Sequence, residues 1–224
     1  MSDRDVQSRV IAIDGASGTG KSTVARAVAE AVGLPVLDTG AMYRAITLAV
    51  LDARVAPEHE AASLGVAQSV LVSVEDGVTR LDDRDVSAEI RGPAVTAAVS
   101  AVSAHPPVRQ ILVEQQRAWV AEHDGGVVEG RDIGTVVFPD AAVKVYLVAD
   151  AGERARRRQR DEHAANRDVD VDTVQDALHR RDSADSSRVV SPLQAAPDAL
   201  VIDTTDRTVA DITREIVDRF RAAG

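Results

Sequence analysis

One stretch limits what this chain can fold into more than any other. Gly15-Ala16-Ser17-Gly18-Thr19-Gly20-Lys21-Ser22-Thr23 fits G-x-x-x-x-G-K-[ST], the spacing of a phosphate-binding loop. Small residues let successive backbone N–H groups turn inward around a phosphate. The helix that follows adds unpaired N-terminal donors and the positive end of its dipole. In such a loop Lys21 reaches the β and γ phosphates, and the Ser22 hydroxyl sits on Mg2+, partly through water. The flanks agree. Val10-Ile11-Ala12-Ile13 is an apolar run of buried-strand type, and Val24, Ala25, Val28, Ala29 and Val32 recur at helical spacing before a capping Gly33.

Beyond the loop, Leu34–Asp38 reads as a second strand, and a helix follows with Thr39 as its N-cap and Met42, Ile46, Ala49 and Val50 along it. Its first turn offers donors beside Tyr43 and Arg44. Val70, Val72 and Val74 then alternate, Asp76-Gly77 marks a tight turn, and Val78–Leu81 returns. This breaks the strand–helix rhythm and predicts a small antiparallel insert with short helices through Ser103. Pro106-Pro107 opens a long helix with Arg109 in its first turn. Strands follow at 127–129, 142–148 and 199–202, with helices at 151–165, 171–182 and 208–222. Five strands separated by helices predict an α/β fold: a parallel five-stranded sheet flanked by helices, carrying the antiparallel β/α insert.

The 224 residues suffice for one domain with an insert. Aromatics make up only 2%, so the core has to be aliphatic. No run approaches the ~18 apolar residues of a membrane span, and the first residues lack the apolar core of a signal peptide. The absence of cysteine excludes disulfides and thiolate metal sites and fits a reducing compartment, so a cytoplasmic location is expected. A net charge of −10 argues against nucleic acid or a membrane surface as partner. Only Lys21 and Lys144 among the 26 basic residues are lysine. An arginine by itself therefore carries little weight, and its position has to decide.

Three arginines fall beyond strand ends or at helix starts, where ligands of parallel sheets gather: Arg44, Arg109 and Arg131. Together they favour an anionic second substrate, because the planar guanidinium grips phosphate oxygens in pairs. Arg154, Arg156, Arg157, Arg158 and Arg160 crowd one helix, which is either a solvated charged face or a lid over transferring phosphates. Arg181, Asp185 and Arg188 are spaced i, i+4, i+7, an acceptor between two donors. Asp132 can accept from the cytosine amino group while Arg109 donates to its ring nitrogen or carbonyl; uracil would present Asp132 with a second acceptor. Asp14 and Glu129 are weaker candidates for ordering water around a metal.

These stretches resemble the bacterial cytidylate kinase family, monophosphate kinases that convert CMP and dCMP to diphosphates with ATP. The resemblance is carried by Gly15–Thr23, Leu37–Arg44, Pro107-Val108-Arg109, Gly130–Pro139, and Arg181–Arg188 with Ser191-Pro192-Leu193, so it spans nearly the whole chain. It implies that Gly15 to Thr23 bind ATP, that Thr39, Arg44 and Arg131 hold the CMP phosphate, and that Ser100, Arg109 and Asp132 read cytosine. Arg181, Asp185 and Arg188 would meet sugar and phosphate, with Tyr43 also in the CMP site. Lys21, Arg131, Arg157 and Arg158 would act on the transferring group, with Mg2+ as cofactor and a monomer as the working form. The implied layout is a core (1–35, 104–155, 190–224), a nucleoside-monophosphate-binding region (36–103) and a lid (156–189). One departure stands out: Ser183–Ser187 is less charged than the family's form of that segment.

The alternatives are another kinase on this fold, acting on UMP, shikimate or dephospho-coenzyme A, or a nucleotide-dependent switch or ATPase. The last would call for a GTP-specificity loop or a basic groove, and the chain has neither an Asn-Lys-x-Asp stretch nor a basic excess.

Overall fold

A computed structural model describes residues 6–223. In chain order its elements begin with β1 (Val10–Gly15), α1 (Lys21–Val32), β2 (Val36–Asp38), α2 (Thr39–Asp52) and α3 (Glu60–Ser69). The insert supplies β3 (Val72–Glu75), β4 (Val78–Leu81), β5 (Arg84–Asp85) and α4 (Pro93–Val102). Then come α5 (Pro106–Glu122), β6 (Gly126–Gly130), β7 (Val143–Val148), α6 (Ala151–Ala164), α7 (Val171–Ser186), β8 (Leu200–Asp203) and α8 (Val209–Ala223).

The main sheet has the order β2-β6-β1-β7-β8, with every pairing parallel. Strand β1 sits in the middle and is buried throughout, so it reads as a continuous apolar run. Its side chains still alternate between two cores. Val10 and Ala12 face the layer containing α2 and α5, whereas Ile11 and Ile13 face α1 and α8. The chain leaves β1 in one direction across the sheet and reaches β7 and β8 in the other. That switch point opens a crevice at the carboxyl ends of β1 and β6, and both the phosphate loop and Gly130-Arg131-Asp132 open into it.

The insert is a three-stranded antiparallel sheet, with Asp76 and Gly77 both at positive φ (50° and 78°) in the expected tight turn. It lies over α2, which is buried on nearly all sides, Arg44 included. Helices α6 and α7 pack on each other through Ala155, Val174 and Leu178, a small apolar cluster separate from both main cores. The whole is an α/β fold built on a phosphate-binding loop: a parallel five-stranded sheet flanked by helices, with a small antiparallel insert.

Local readings differ from the expectation in four places. Strand β2 begins at Val36 rather than Leu34, because Pro35 has no N–H to give the ladder; its carbonyl still accepts from Val127 N at 2.8 Å. The N-cap of α2 is Asp38, whose carboxylate takes the Ala41 N–H at 3.0 Å. Thr39 is the first helical residue, and its hydroxyl donates instead to the Glu129 carbonyl at 2.7 Å. Helix α7 runs one turn beyond residue 182, through weak helix formers whose Asp185 is gripped from outside. Arg188 consequently lies beyond that helix rather than on its face, and the chain folds back so that Leu193 N donates to the Asp185 carbonyl at 2.9 Å.

Candidate active site

The phosphate loop takes backbone angles that explain its glycines. Gly18 and Gly20 have φ of 79° and 88°, and a Cβ on Gly18 would stand 2.9 Å from the Arg154 carbonyl oxygen. Gly20 caps α1, so the N-terminal donors of that helix face the crevice. The Lys21 ammonium folds back onto the Ala16 carbonyl at 2.8 Å. Burial pulls Lys21 below the usual lysine range, with Arg131 adding repulsion, and burial pushes the neighbouring Glu129 carboxyl up. The Ser22 hydroxyl stands close to the Glu129 carboxylate. Serine oxygen and carboxylate thus stand together at the loop's end, the hard oxygen donors that suit Mg2+. Among the described residues no three His, Cys, Asp or Glu side chains group to cage a metal.

Asp14, the other candidate for ordering metal water, also braces the fold. Its two oxygens accept from Ile133 N and Gly134 N, both at 2.8 Å, which ties β1 to the turn after β6. Burial nevertheless raises it to about 6, outweighing those two bonds.

Beyond the strand ends lies an inner pocket of about 60 Å³. Lys21, Thr39, Tyr43, Arg109, Arg131, Asp132, Arg181, Asp185 and Arg188 all border it, so most of the acceptor set read from sequence converges there. Asp132 pairs with Arg109, which also donates to the Ser103 carbonyl at 3.2 Å. Asp185 accepts from Arg131 Nε at 3.1 Å and from Arg188, and lies 4.0 Å from Arg181. The Arg109 guanidinium also stands 5.0 Å above the Tyr43 ring.

Positive charge is in surplus. Burial and then Arg131 and Arg44 lower Arg181 to about 9; burial and then Arg158 lower Arg44 to about 10. The Nε atoms of Arg109, Arg181 and Arg188 are buried with no hydrogen-bond acceptor among the described residues. Buried donors of this kind are uncommon and expect a partner. Anionic or carbonyl oxygen is what their chemistry matches.

A larger cleft of about 590 Å³ lies between α4 and the α6–α7 pair, and Arg181 borders it as well. Its volume is in the range of ligand pockets, about 300–1,000 Å³, which the inner pocket is not. Ser100 opens onto this cleft rather than onto the inner pocket, as does Arg158, which is paired with Glu162. Arg157 points elsewhere. It bonds Glu153 at 3.0 Å, Thr204 Oγ1 at 2.9 Å and the Thr204 carbonyl at 2.7 Å, next to the phosphate loop. The two arginines assigned together from sequence therefore face different regions.

Arg154, one of the arginines crowded on α6, pairs with Asp182 and donates to the Ser17 carbonyl at 3.2 Å, joining α6 and α7 to the loop. Two participants were not anticipated. Ser103 and Thr96 hold arginines through hydroxyl or carbonyl oxygens. Nothing in their spacing marked them, since a serine or threonine on a small amphipathic helix is ordinary.

A family model described as cytidylate kinase matches residues 11–222. The chain is 51% identical over 216 residues to the cytidylate kinase of Mycobacterium avium, covering 95% of each. It is 46% identical over 218 residues to that of Corynebacterium glutamicum, covering 96% of this chain and 95% of the relative. Among solved structures, an uncharacterized protein from Eubacterium ventriosum superposes with a TM-score of 0.50 at 14% identity, over 95% of this chain and 98% of that one, a likeness of fold alone.

Proposed function

The chain belongs to the cytidylate kinase family, and from that premise we propose that it transfers the γ-phosphoryl group of ATP to CMP and dCMP, giving CDP or dCDP and ADP. The observation that carries the site assignment is the surplus of buried guanidinium donors, three with unpartnered Nε atoms, facing the phosphate loop across one crevice.

ATP lies with its β and γ phosphates on the loop amides, and Lys21 swings from the Ala16 carbonyl to the γ-phosphate. Ser22, with Glu129 behind it, would hold Mg2+ or its water. That ion would supply charge neutralisation for the donor phosphates. CMP enters with its phosphate toward Thr39, Arg44 and Arg131 and its base toward Arg109 and Asp132, and Ser100 reaches the base from the neighbouring larger cleft. Asp132 accepts from the cytosine amino group, and Arg109 donates to the ring. Arg181, Asp185 and Arg188 take the sugar and the near side of the phosphate.

A CMP phosphate oxygen then attacks the γ-phosphorus in line, the bond to the β-bridging oxygen breaks, and ADP leaves. The attacking oxygen is already anionic at neutral pH, so no side chain has to act as a strong base. Catalysis is positioning and electrostatic stabilisation by Lys21, Arg131, Arg157 and Arg158. Residues 36–103 form the acceptor-binding region and 156–189 the lid, whose closure excludes water from the transferring group. The enzyme works as a monomer in the cytoplasm. Among the described residues no helix is long and apolar enough to cross a membrane.

The test is a coupled ADP-release assay with ATP and magnesium across CMP, dCMP, UMP, shikimate and dephospho-coenzyme A. CMP and dCMP are expected to be the preferred acceptors. Equal rates on UMP would remove the base-reading role of Asp132, and no CDP at all would remove the activity.

A further inference from the structure

Helix α4 carries two faces. Val95, Val99 and Val102 (i, i+4, i+7) are buried and anchor it on the insert core. One step round, Thr96, Ser100 and Ser103 repeat the same spacing with hydroxyls, and all three look toward the substrate side. Thr96 Oγ1 accepts from Arg44 Nη1 at 2.9 Å. Ser103, just past the last turn, is buried and holds two arginines at once. Its carbonyl accepts from Arg109 Nη1 at 3.2 Å, and its hydroxyl accepts from Arg188 Nη2 at 2.8 Å.

Those two arginines come from distant parts of the chain, the start of α5 and the segment after α7. Each is already paired with a carboxylate, Arg109 with Asp132 and Arg188 with Asp185. Among the described residues no hydrogen bond joins one ion pair to the other; Ser103 is the residue that both cations share. Plain helix capping does not account for this, because the Ser103 hydroxyl donates to the Ser100 carbonyl only at 3.3 Å while accepting the shorter bond from Arg188.

We infer that Ser103 is a positioning residue for the acceptor nucleotide: it fixes the distance between the arginine assigned to the base and the arginine assigned to the sugar. The inference rests on the CMP reading given above. It follows that removing the hydroxyl leaves Arg188 held by Asp185 but no longer tied to Ser103, while the Arg109 contact, which uses the backbone carbonyl, stays. A hydrogen bond to a charged group is worth enough to change binding about tenfold. The loss falls on the acceptor and not on ATP, since Ser103 has no contact with the phosphate loop among the bonds of the described residues.

The experiment is steady-state kinetics on Ser103→Ala and Ser103→Thr, with Arg188→Ala and the double variant Ser103→Ala/Arg188→Ala. Ser103→Ala is expected to raise KM for CMP about tenfold, more than it lowers kcat, with KM for ATP unchanged. Ser103→Thr keeps the hydroxyl and keeps the parent KM for CMP. In the Arg188→Ala background the serine change alters kcat/KM for CMP by less than about twofold, because the partner it acts through is gone. Equal weakening of CMP and ATP, an unchanged KM for CMP, or an undiminished loss in the Arg188→Ala background overturns the inference. If the parent enzyme turns over no CMP, the activity itself is refuted and the inference falls with it. A parent active on CMP beside an indifferent Ser103→Ala refutes only the role of Ser103.

Discussion

Arg109 and Asp132 form an ion pair across 23 residues of chain, and their side chains are only 4% and 5% exposed. Two opposite charges have been taken out of water together at the place assigned to the cytosine ring. Such a pair gains little stability against an apolar alternative, but removing one partner leaves a stranded charge.

Asp132→Ala therefore has two expected consequences. Unfolding stability falls by about 3–5 kcal/mol, read from urea denaturation, because Arg109 keeps its charge in a buried site. In the folded fraction KM for CMP rises far more than KM for ATP. Equal rises in both would place Asp132 outside base recognition.

Lys21→Ala should depress kcat by at least about a hundredfold while leaving KM for CMP nearly unchanged. The contact it makes in the resting protein, to the Ala16 carbonyl, is not the one that matters. Its attraction grows as charge develops on the transferring group. Near-normal turnover in the variant would mean that the loop does not bind the donor phosphates.

Asp14 gives a prediction about pH. Burial raises its folded pKa to about 6 from the ordinary aspartate value of 3.8, so the folded state binds this proton more tightly than the unfolded state. The stability it contributes is fully present below about pH 4 and is lost as pH rises through about 6, to an extent of about 3 kcal/mol. Asp14→Asn removes that dependence. Urea midpoints of parent and variant, measured from pH 4 to pH 8, should show the parent losing ground to the variant across this interval. Parallel curves would mean that Asp14 is an ordinary ionised carboxylate in the folded protein.

Chelating magnesium should abolish CDP formation. Ser22→Ala should raise the free magnesium needed for half-maximal rate, since the hydroxyl beside Glu129 is gone. The check is a magnesium titration at fixed ATP and CMP, with circular dichroism to verify the fold. An unaltered magnesium requirement would remove Ser22 from the metal site.

The sequence was informative wherever a local rule acts alone. The phosphate loop, the five parallel strands, the hairpin at Asp76-Gly77 and the helix opened by Pro106 all follow from turn chemistry and apolar spacing within a few residues. It was misleading where a competitor from outside the segment takes over. Thr39 has a hydroxyl fit for capping, but Glu129, 90 positions away, claims it, and Asp38 caps instead. Asp14 ends a strand beside the loop, and no local pattern announces that its two oxygens take backbone amides from 119 and 120 residues downstream.

Residue type and spacing thus determined by themselves that a glycine-rich loop of phosphate-binding pattern sits at the head of a parallel sheet, and which arginines stand near strand ends. Spacing along one segment is a property of that segment, so no folded structure was needed to read it. How the guanidinium groups are shared out was decided only in three dimensions: which meet Asp132 or Asp185, which keep a free Nε, and which lean on Ser103. Charge pairing depends on distance and burial, and those exist only once elements far apart in the chain have packed against one another.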